Sequence, residues 1–263
     1  MQSLTEQHGN KGKEGYWNDR SFHRRSIEDL EVRSFCGMQI FYDMLEAGEN
    51  KDRYSPYEYP YCSERDKALL SCLFETGGRE LEVAMLRKEM FDVDEEFVIV
   101  RDMPLVKRYK RTKLTDKATG EVIVVTKSIK DFRTLTFKRD EPLAEFVVQW
   151  IDQVEDYLFP SRRNGKFPHL HPTRIYQIID DLSLVAGHNQ QIIDREGNLI
   201  MRNGEPVTRG AMWPHRIRSE RASYLGSVLN WNLEKIMRFF GWKTTEIAMR
   251  YAHKSVEDMK TWF

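Results

Sequence analysis

Three β-rich runs, "FVIV" (Phe97 to Val100), "EVIVVTK" (Glu121 to Lys127) and "FRTLTF" (Phe132 to Phe137), sit between long stretches whose apolar residues recur at helical spacing. A block of strands bracketed by helices admits few architectures: α+β, mainly α, with one small antiparallel β-sheet inserted among helices. "DKATG" reads as the turn before the second run. From Leu143 to Phe159 the apolar positions 143, 146, 147, 150, 151, 154, 157 and 158 form a 3.6-period stripe, which predicts a helix. "TRIYQIIDDLSLVAG" predicts another, stopped by Gly187, and apolar positions from Ile27 to Glu49 predict one before the strands. "RDKALLSCLFETGGRELEVAMLRKEMF" reads as two helices: Asp66 to Glu75, a joint at Gly77 and Gly78, and a second opened by Arg79. "DREGNLIMRNGEPVT" reads as a hairpin or an irregular excursion. After Pro214 the chain reads helical almost to its end, with a break at Gly241.

Residues 1–28 are polar, carry three glycines and lack a sustained apolar period, so they read as a flexible tail, with residues 29–263 forming one domain. With 40% hydrophobic and 12% aromatic residues the chain can bury a sizeable core. Cys36, Cys62 and Cys72 stand 26 and 10 residues apart, an odd set without a CxxC pair, which points away from disulfides and thiolate zinc. There is no basic start followed by an apolar run and no stretch near the roughly 20 apolar residues a bilayer requires, so a cytoplasmic protein is expected. Forty-one basic against 41 acidic residues give zero net charge, which by itself argues against a nucleic-acid partner. The charges are clustered, however: "KRYKRTK" runs from Lys107 to Lys113, and Arg216, Arg218 and Arg221 lie within six residues.

In "PHRIRSERASYL", Pro214 precedes a helical turn and His215 and Arg218 stand three apart, which puts an imidazole and a guanidinium on one face near a helix N-terminus, where an anion is stabilised. Taken alone, such a pair is more often a solvated helix start. The rest of the set shifts the balance: Trp242 follows Arg218 by 24 residues, Tyr251 follows Trp242 by nine, and Arg79 and Lys127 lie upstream. In that order the set resembles the tyrosine recombinase (phage integrase) family, whose members carry Arg, a β-hairpin Lys, His-x-x-Arg, His or Trp, and then Tyr. "TGGRELEVAML" is similar to the family's first box, with Glu82 at the acidic position, and "LFPSRRNGKFPHLHPTRIYQIIDDLSLVAG" is similar to the segment leading to His-x-x-Arg. The resemblance covers about residues 64 to 255. It departs from the family at Ser219, where a histidine is common, at Trp242, where histidine is commoner, and in the long interval between Arg79 and Lys127, which reads as an enlarged hairpin.

The resemblance implies a tyrosine recombinase catalytic-domain fold without a full N-terminal core-binding domain, and a DNA recombinase that cleaves and rejoins strands through a 3′-phosphotyrosine for integration or excision of a mobile element. It assigns Tyr251 as nucleophile, Arg79 and Arg218 as a clamp on the phosphate, and His215 as proton acceptor. Lys127 is the proton donor, with Lys130 as substitute, Trp242 an N–H donor, and Glu82 a residue that orients Arg79 or His215. These types suit the chemistry: guanidinium forks match non-bridging oxygens, and a phenol with a pKa of about 10 needs a base or a cationic pocket. Lys107, Arg108, Lys110, Arg111, Lys113, Lys130, Arg162 and Arg163 are the expected contacts to the DNA backbone. The implied partners are double-stranded DNA and further copies of the chain, from dimer to tetramer, with no membrane, no cofactor and no metal; the histidines of "HLH" lack ligand-spaced companions. Two rivals share the residues: a type IB topoisomerase-like relaxing enzyme and a DNA-binding relative without catalysis.

Overall fold

Helix α2 (Ser63–Thr76) is the axis of the domain. Ala68, Leu69, Leu70, Cys72, Leu73 and Phe74 are all fully buried, and a helix enclosed on every side belongs at the centre of a core. The computed structural model describes residues 35–50, 62–106, 109–115, 122–128, 130–161, 168–194 and 197–252; the expected tail of residues 1–28 lies outside them. Around α2 pack α1 (Gln39–Ala47), the short α3 (Glu80–Ala84), α4 (Ala144–Gln153), α5 (Pro172–Val185) and α6 (Pro214–Ser223); α7 (Leu233–Phe240) meets its C-terminal end, and α8 (Thr245–Ala252) packs on α6 and α7. Phe41, Val147, Ile178, Ile217 and Phe240 from these helices share one apolar cluster with Leu73. Among the described residues no helix is long and apolar enough to cross a membrane.

The expected strands exist, but in two sheets instead of one: "FVIV" and "FRTLTF" in the first and the strand within "EVIVVTK" in the second. β1 (Phe91–Val93), β2 (Phe97–Pro104) and β5 (Phe132–Lys138) form an antiparallel sheet in the order β1-β2-β5. β3 (Tyr109–Thr115) and β4 (Val122–Ser128) pair with each other in a separate two-stranded hairpin, so "KRYKRTK" runs into a strand of its own. β6 (Asn189–Gln191) pairs with β9 (Thr208–Gly210), and β7 (Met201–Arg202) with β8 (Glu205–Pro206), which resolves the excursion into nested hairpins.

Several helix expectations are corrected. The stripe of residues 143–158 is helical only to Gln153; beyond it the chain turns extended, Leu158 N–H bonds the Leu86 carbonyl (3.0 Å), and the Trp150 indole holds the Leu158 carbonyl (2.7 Å). Apolar periodicity continues there because Leu158 and Phe159 are buried by other means. The helix opened by Arg79 is a single five-residue turn, followed by a 3-10 turn at Lys88–Met90. The helix expected from Ile27 begins, within the described residues, at Gln39. The stretch after Pro214 breaks once more than expected: α6 passes through a π-helical turn at Tyr224–Val228, Asn230 adopts φ +53°, and Asn232 starts α7 by accepting from Lys235 N–H (2.9 Å).

Buried charge joins the helices. Arg221 of α6 is fully enclosed and meets Glu75 of α2 at 3.0 Å and Glu141, ahead of α4, at 2.5 Å. Glu75 also accepts from the Leu143 N–H at 2.9 Å. Burial, helped by the neighbouring Glu141 carboxylate, pushes the Glu75 pKa up to about 8 against the opposing pull of Arg221.

Candidate active site

Two helices end at the same place. α2 closes on Gly77 in the left-handed region (φ +55°), and α7 closes on Gly241 (φ +63°). Gly77 also lies too close to α7 for any side chain, since a Cβ there would stand 2.3 Å from the Phe240 ring. The adjoining Gly78 is pinned by Met103 and Val83, each 2.6 Å from where its Cβ would be. The double glycine read as a joint is therefore also a close backbone approach.

Immediately after the joint, Arg79 sits at the N-cap of α3, and Glu82 at the third helical position reaches back to it. Glu82 Oε2 accepts from the Arg79 backbone N–H (3.0 Å), which is half of a capping box, and Oε1 pairs with Arg79 Nη1 (2.7 Å). The same carboxylate takes Arg218 Nη1 from α6 at 3.4 Å and Arg133 Nη2 from β5 at 3.8 Å, and accepts from the Val106 N–H at 3.4 Å. Glu82 has no solvent exposure, and Arg218 and Arg133 have almost none, whereas the Arg79 side chain is 27% exposed. Burial pushes the Glu82 pKa up, but the cations Arg218, Arg133 and Arg79 outweigh it and hold the carboxyl below its ordinary value. Three guanidinium groups around one carboxylate leave a surplus of two positive charges, which favours an anion nearby.

Aromatic rings form the floor. Phe240 and Trp242 stack with centroids 4.4 Å apart, and the Arg218 guanidinium lies 4.8 Å from the Phe240 ring and 5.7 Å from that of Trp242. Lys243, next to Trp242, pairs with Asp131 at 3.2 Å, and the Asp131 carbonyl accepts the Leu105 N–H at 2.8 Å. An open groove of about 750 Å³ runs between this floor and the start of β5, with Phe132, Met237 and Trp242 in its walls.

Of the residues read from sequence, the fold brings Arg79, Glu82, Arg218 and Trp242 into one cluster. His215 is exposed on the first turn of α6, one turn before the buried Arg218, so the two share a helix edge but not an environment. Lys127 lies on β4 opposite Lys110 of β3, and Lys130 is exposed just beyond β4. Arg111 and Lys113 occupy β3 opposite Thr126 and Val124. Tyr251 lies in α8, on the first helix after Trp242. Lys107, Arg108, Arg162 and Arg163 lie outside the described residues. Among the described residues no three His, Cys, Asp or Glu side chains cluster as metal ligands.

Arg133 was not singled out from the sequence, yet a signal was there. In β5 the positions 133, 135 and 137 alternate inward, so Arg133 lies in phase with Leu135 and Phe137, and an arginine in that phase requires a buried partner.

The phage integrase family model matches residues 57–258. Among solved structures the chain is similar to XerH site-specific recombinase bound to its difH substrate in a pre-cleavage complex, with a TM-score of 0.51, 14% identity, and coverage of 88% of this chain and 54% of that one. It is also similar to the Tn1549 transposon integrase in complex with circular intermediate DNA, with a TM-score of 0.51, 14% identity, and coverage of 88% and 66%. The chain thus spans about half the length of the XerH structure, and at these identities the likeness establishes the fold, a tyrosine recombinase catalytic fold. No curated protein matches the chain.

Proposed function

Because this chain belongs to the phage integrase family, we propose that it is a site-specific DNA recombinase that breaks and reseals DNA strands through Tyr251. The observation that carries the reading is the Glu82 carboxylate shared by Arg79 and Arg218, residues far apart in the chain that meet beside Trp242 with net positive charge. Two fixed, always-charged forks of this kind suit the non-bridging oxygens of a phosphodiester whose charge rises in the transition state. Arg79, the more open of the two, takes the phosphate first, while Arg218 is held from below by the aromatic floor.

In the proposed reaction the Tyr251 hydroxyl oxygen attacks phosphorus as His215 accepts its proton, the bond to the 5′ oxygen breaks, and Lys127 gives that oxygen a proton, with Lys130 as its substitute. A 3′-phosphotyrosine and a free 5′ hydroxyl result. Attack by a 5′ hydroxyl reverses the step, so the bond energy is conserved and resealing needs neither ATP nor a metal ion. The strands of the β3–β4 hairpin, with Lys110, Arg111 and Lys113, track the DNA backbone in this reading, together with Lys107, Arg108, Arg162 and Arg163. Integration or excision of a mobile element is the proposed role; the Tn1549 integrase, a transposon protein, has the same fold.

Incubation with a nicked suicide DNA site, on which the cut strand cannot be resealed, tests the reading. Wild-type protein is expected to form a covalent protein–DNA adduct and Tyr251→Phe none, with DNA binding retained. An adduct that survives in Tyr251→Phe overturns the assignment.

A further inference from the structure

Arg133 does more than fill β5. Its Nη2 donates to the carbonyl of Thr76 at 3.0 Å and its Nη1 to the carbonyl of Phe239. Arg218 makes the matching pair one residue further along each helix: Nη1 to the carbonyl of Gly77 and Nη2 to that of Phe240 at 3.3 Å. Thr76 and Gly77 are the end of α2; Phe239 and Phe240 are the end of α7. Two guanidinium groups therefore lie side by side between two helix C-termini, each bridging one carbonyl from α2 and one from α7, and both approach the same Glu82 oxygen.

The physical need is plain. Each helix C-terminus presents unsatisfied carbonyls and partial negative charge, so two that converge repel unless cations stand between them. Arg218 alone fixes one pair of carbonyls and leaves α7 free to pivot about it; a second bridge one residue away removes the pivot. The Arg133 side chain is only 4% exposed, so it is not placed to touch DNA. Beyond α7, Gly241 turns the chain, the Trp242 N–H bonds the Met237 carbonyl at 2.9 Å, and α8 follows at Thr245. Whatever fixes the end of α7 thus fixes the origin of the helix that carries Tyr251.

We infer that Arg133 is a positioning residue: paired with Arg218, it clips the end of α7 to the end of α2 and so sets where α8 stands relative to Arg79. The catalytic part of this inference rests on the recombinase reading above; the mechanical part does not.

The test compares wild type with Arg133→Gln, Arg133→Lys and Leu135→Ala in the full chain. Leu135 neighbours Arg133 on the inward face of β5 and is buried without a polar role, so its truncation weakens the fold without touching the clip. At a temperature where all four are folded, Arg133→Gln is expected to lower the rate of adduct formation at saturating nicked DNA by about 100-fold, the scale of a displacement of roughly 1 Å at a reacting group. Its DNA affinity stays within about threefold of wild type, because phosphate contacts are left in place. Leu135→Ala keeps the wild-type rate, and Arg133→Lys, which retains the cation but not the fork, recovers part of the loss. Amide hydrogen exchange without DNA gives a readout independent of activity: in Arg133→Gln, exchange over residues 242–252 rises by about tenfold while α4 and α5 are unchanged. An unchanged exchange pattern, or a rate that falls in Leu135→Ala as far as in Arg133→Gln, overturns the inference. If wild type forms no adduct the recombinase reading fails, and the exchange comparison alone decides the clip.

Discussion

Replacement of Gly77 by alanine perturbs the close approach of α2 to the Phe240 ring, over which Arg218 lies. The backbone there is left-handed, at φ +55° and ψ 27°, which costs an L-residue roughly 1–2 kcal/mol. The new methyl would stand 2.3 Å from Cε1 and 3.0 Å from Cζ of Phe240. Carbon atoms settle at about 3.5–4.0 Å, so the ring would have to withdraw by more than an ångström. It has nowhere to go: Phe240 is fully buried, stacked on Trp242 on one side and covered by the Arg218 guanidinium. Overpacking of this kind adds about 1–3 kcal/mol, for a total of about 2–5 kcal/mol. In a domain of this size each kcal/mol lowers Tm by about 2–4 °C, so thermal unfolding followed by circular dichroism should show a fall of roughly 4–20 °C. Gly187→Ala is the control: its φ is +80° but nothing among the described residues lies within 4 Å of the added Cβ, so only the conformational cost of about 1–2 kcal/mol applies. If Gly77→Ala unfolds no earlier than Gly187→Ala, the close approach of α2 to Phe240 is not as described and the reasoning fails.

Other expectations follow from the two buried charge clusters. Glu75, with its pKa raised from 4.5 to about 8, is protonated in the folded protein where it would be ionised in the unfolded one; its contribution is fully present below pH about 4.5 and is lost as pH rises through about 8. Melting temperatures across that window should therefore decline less steeply in Glu75→Gln than in wild type, and equal slopes would contradict the assignment. Glu82 has the opposite sign: its folded pKa is depressed, so its contribution is present above the ordinary value of 4.5 and disappears as pH falls through the lower folded value. Glu82→Gln should lose about 3–5 kcal/mol near neutral pH, read by denaturant unfolding, because three arginines then face no carboxylate, and the difference from wild type should shrink in acid.

Much of this was legible in the sequence because helical and strand periodicity are local properties. The apolar stripe of α5 and the Gly stops of α2 and α7 announce themselves within a dozen residues, and so do the runs that become β2, β4 and β5. Where the local pattern failed, a competing contact explains the failure. Residues 154–158 keep a helical apolar rhythm, yet Leu158 bonds Leu86 and the helix ends at Gln153. The strand β3 was legible only as part of an enlarged hairpin, because "KRYKRTK" has no apolar run to mark a strand, and its pairing with β4 supplies the backbone bonds that an apolar face usually signals. Arg133 was passed over because a lone arginine in a strand looks solvated until its phase with Leu135 and Phe137 is counted.

By itself the sequence supplied the order of the proposed set, Arg79, Lys127, His215, Arg218, Trp242 and Tyr251, together with the α+β class and the glycines that close two of the helices. Only the tertiary structure decided that those two helices end against each other, that Glu82 is shared by three guanidinium groups, and that Arg218 is buried while His215 faces solvent. The reason is distance along the chain: Arg218 and Glu82 are separated by 136 positions, and Arg133 and Phe239 by 106. Periodicity reports which face of an element is apolar. It carries no record of which carbonyl, a hundred residues away, that face will bring within reach of a cation.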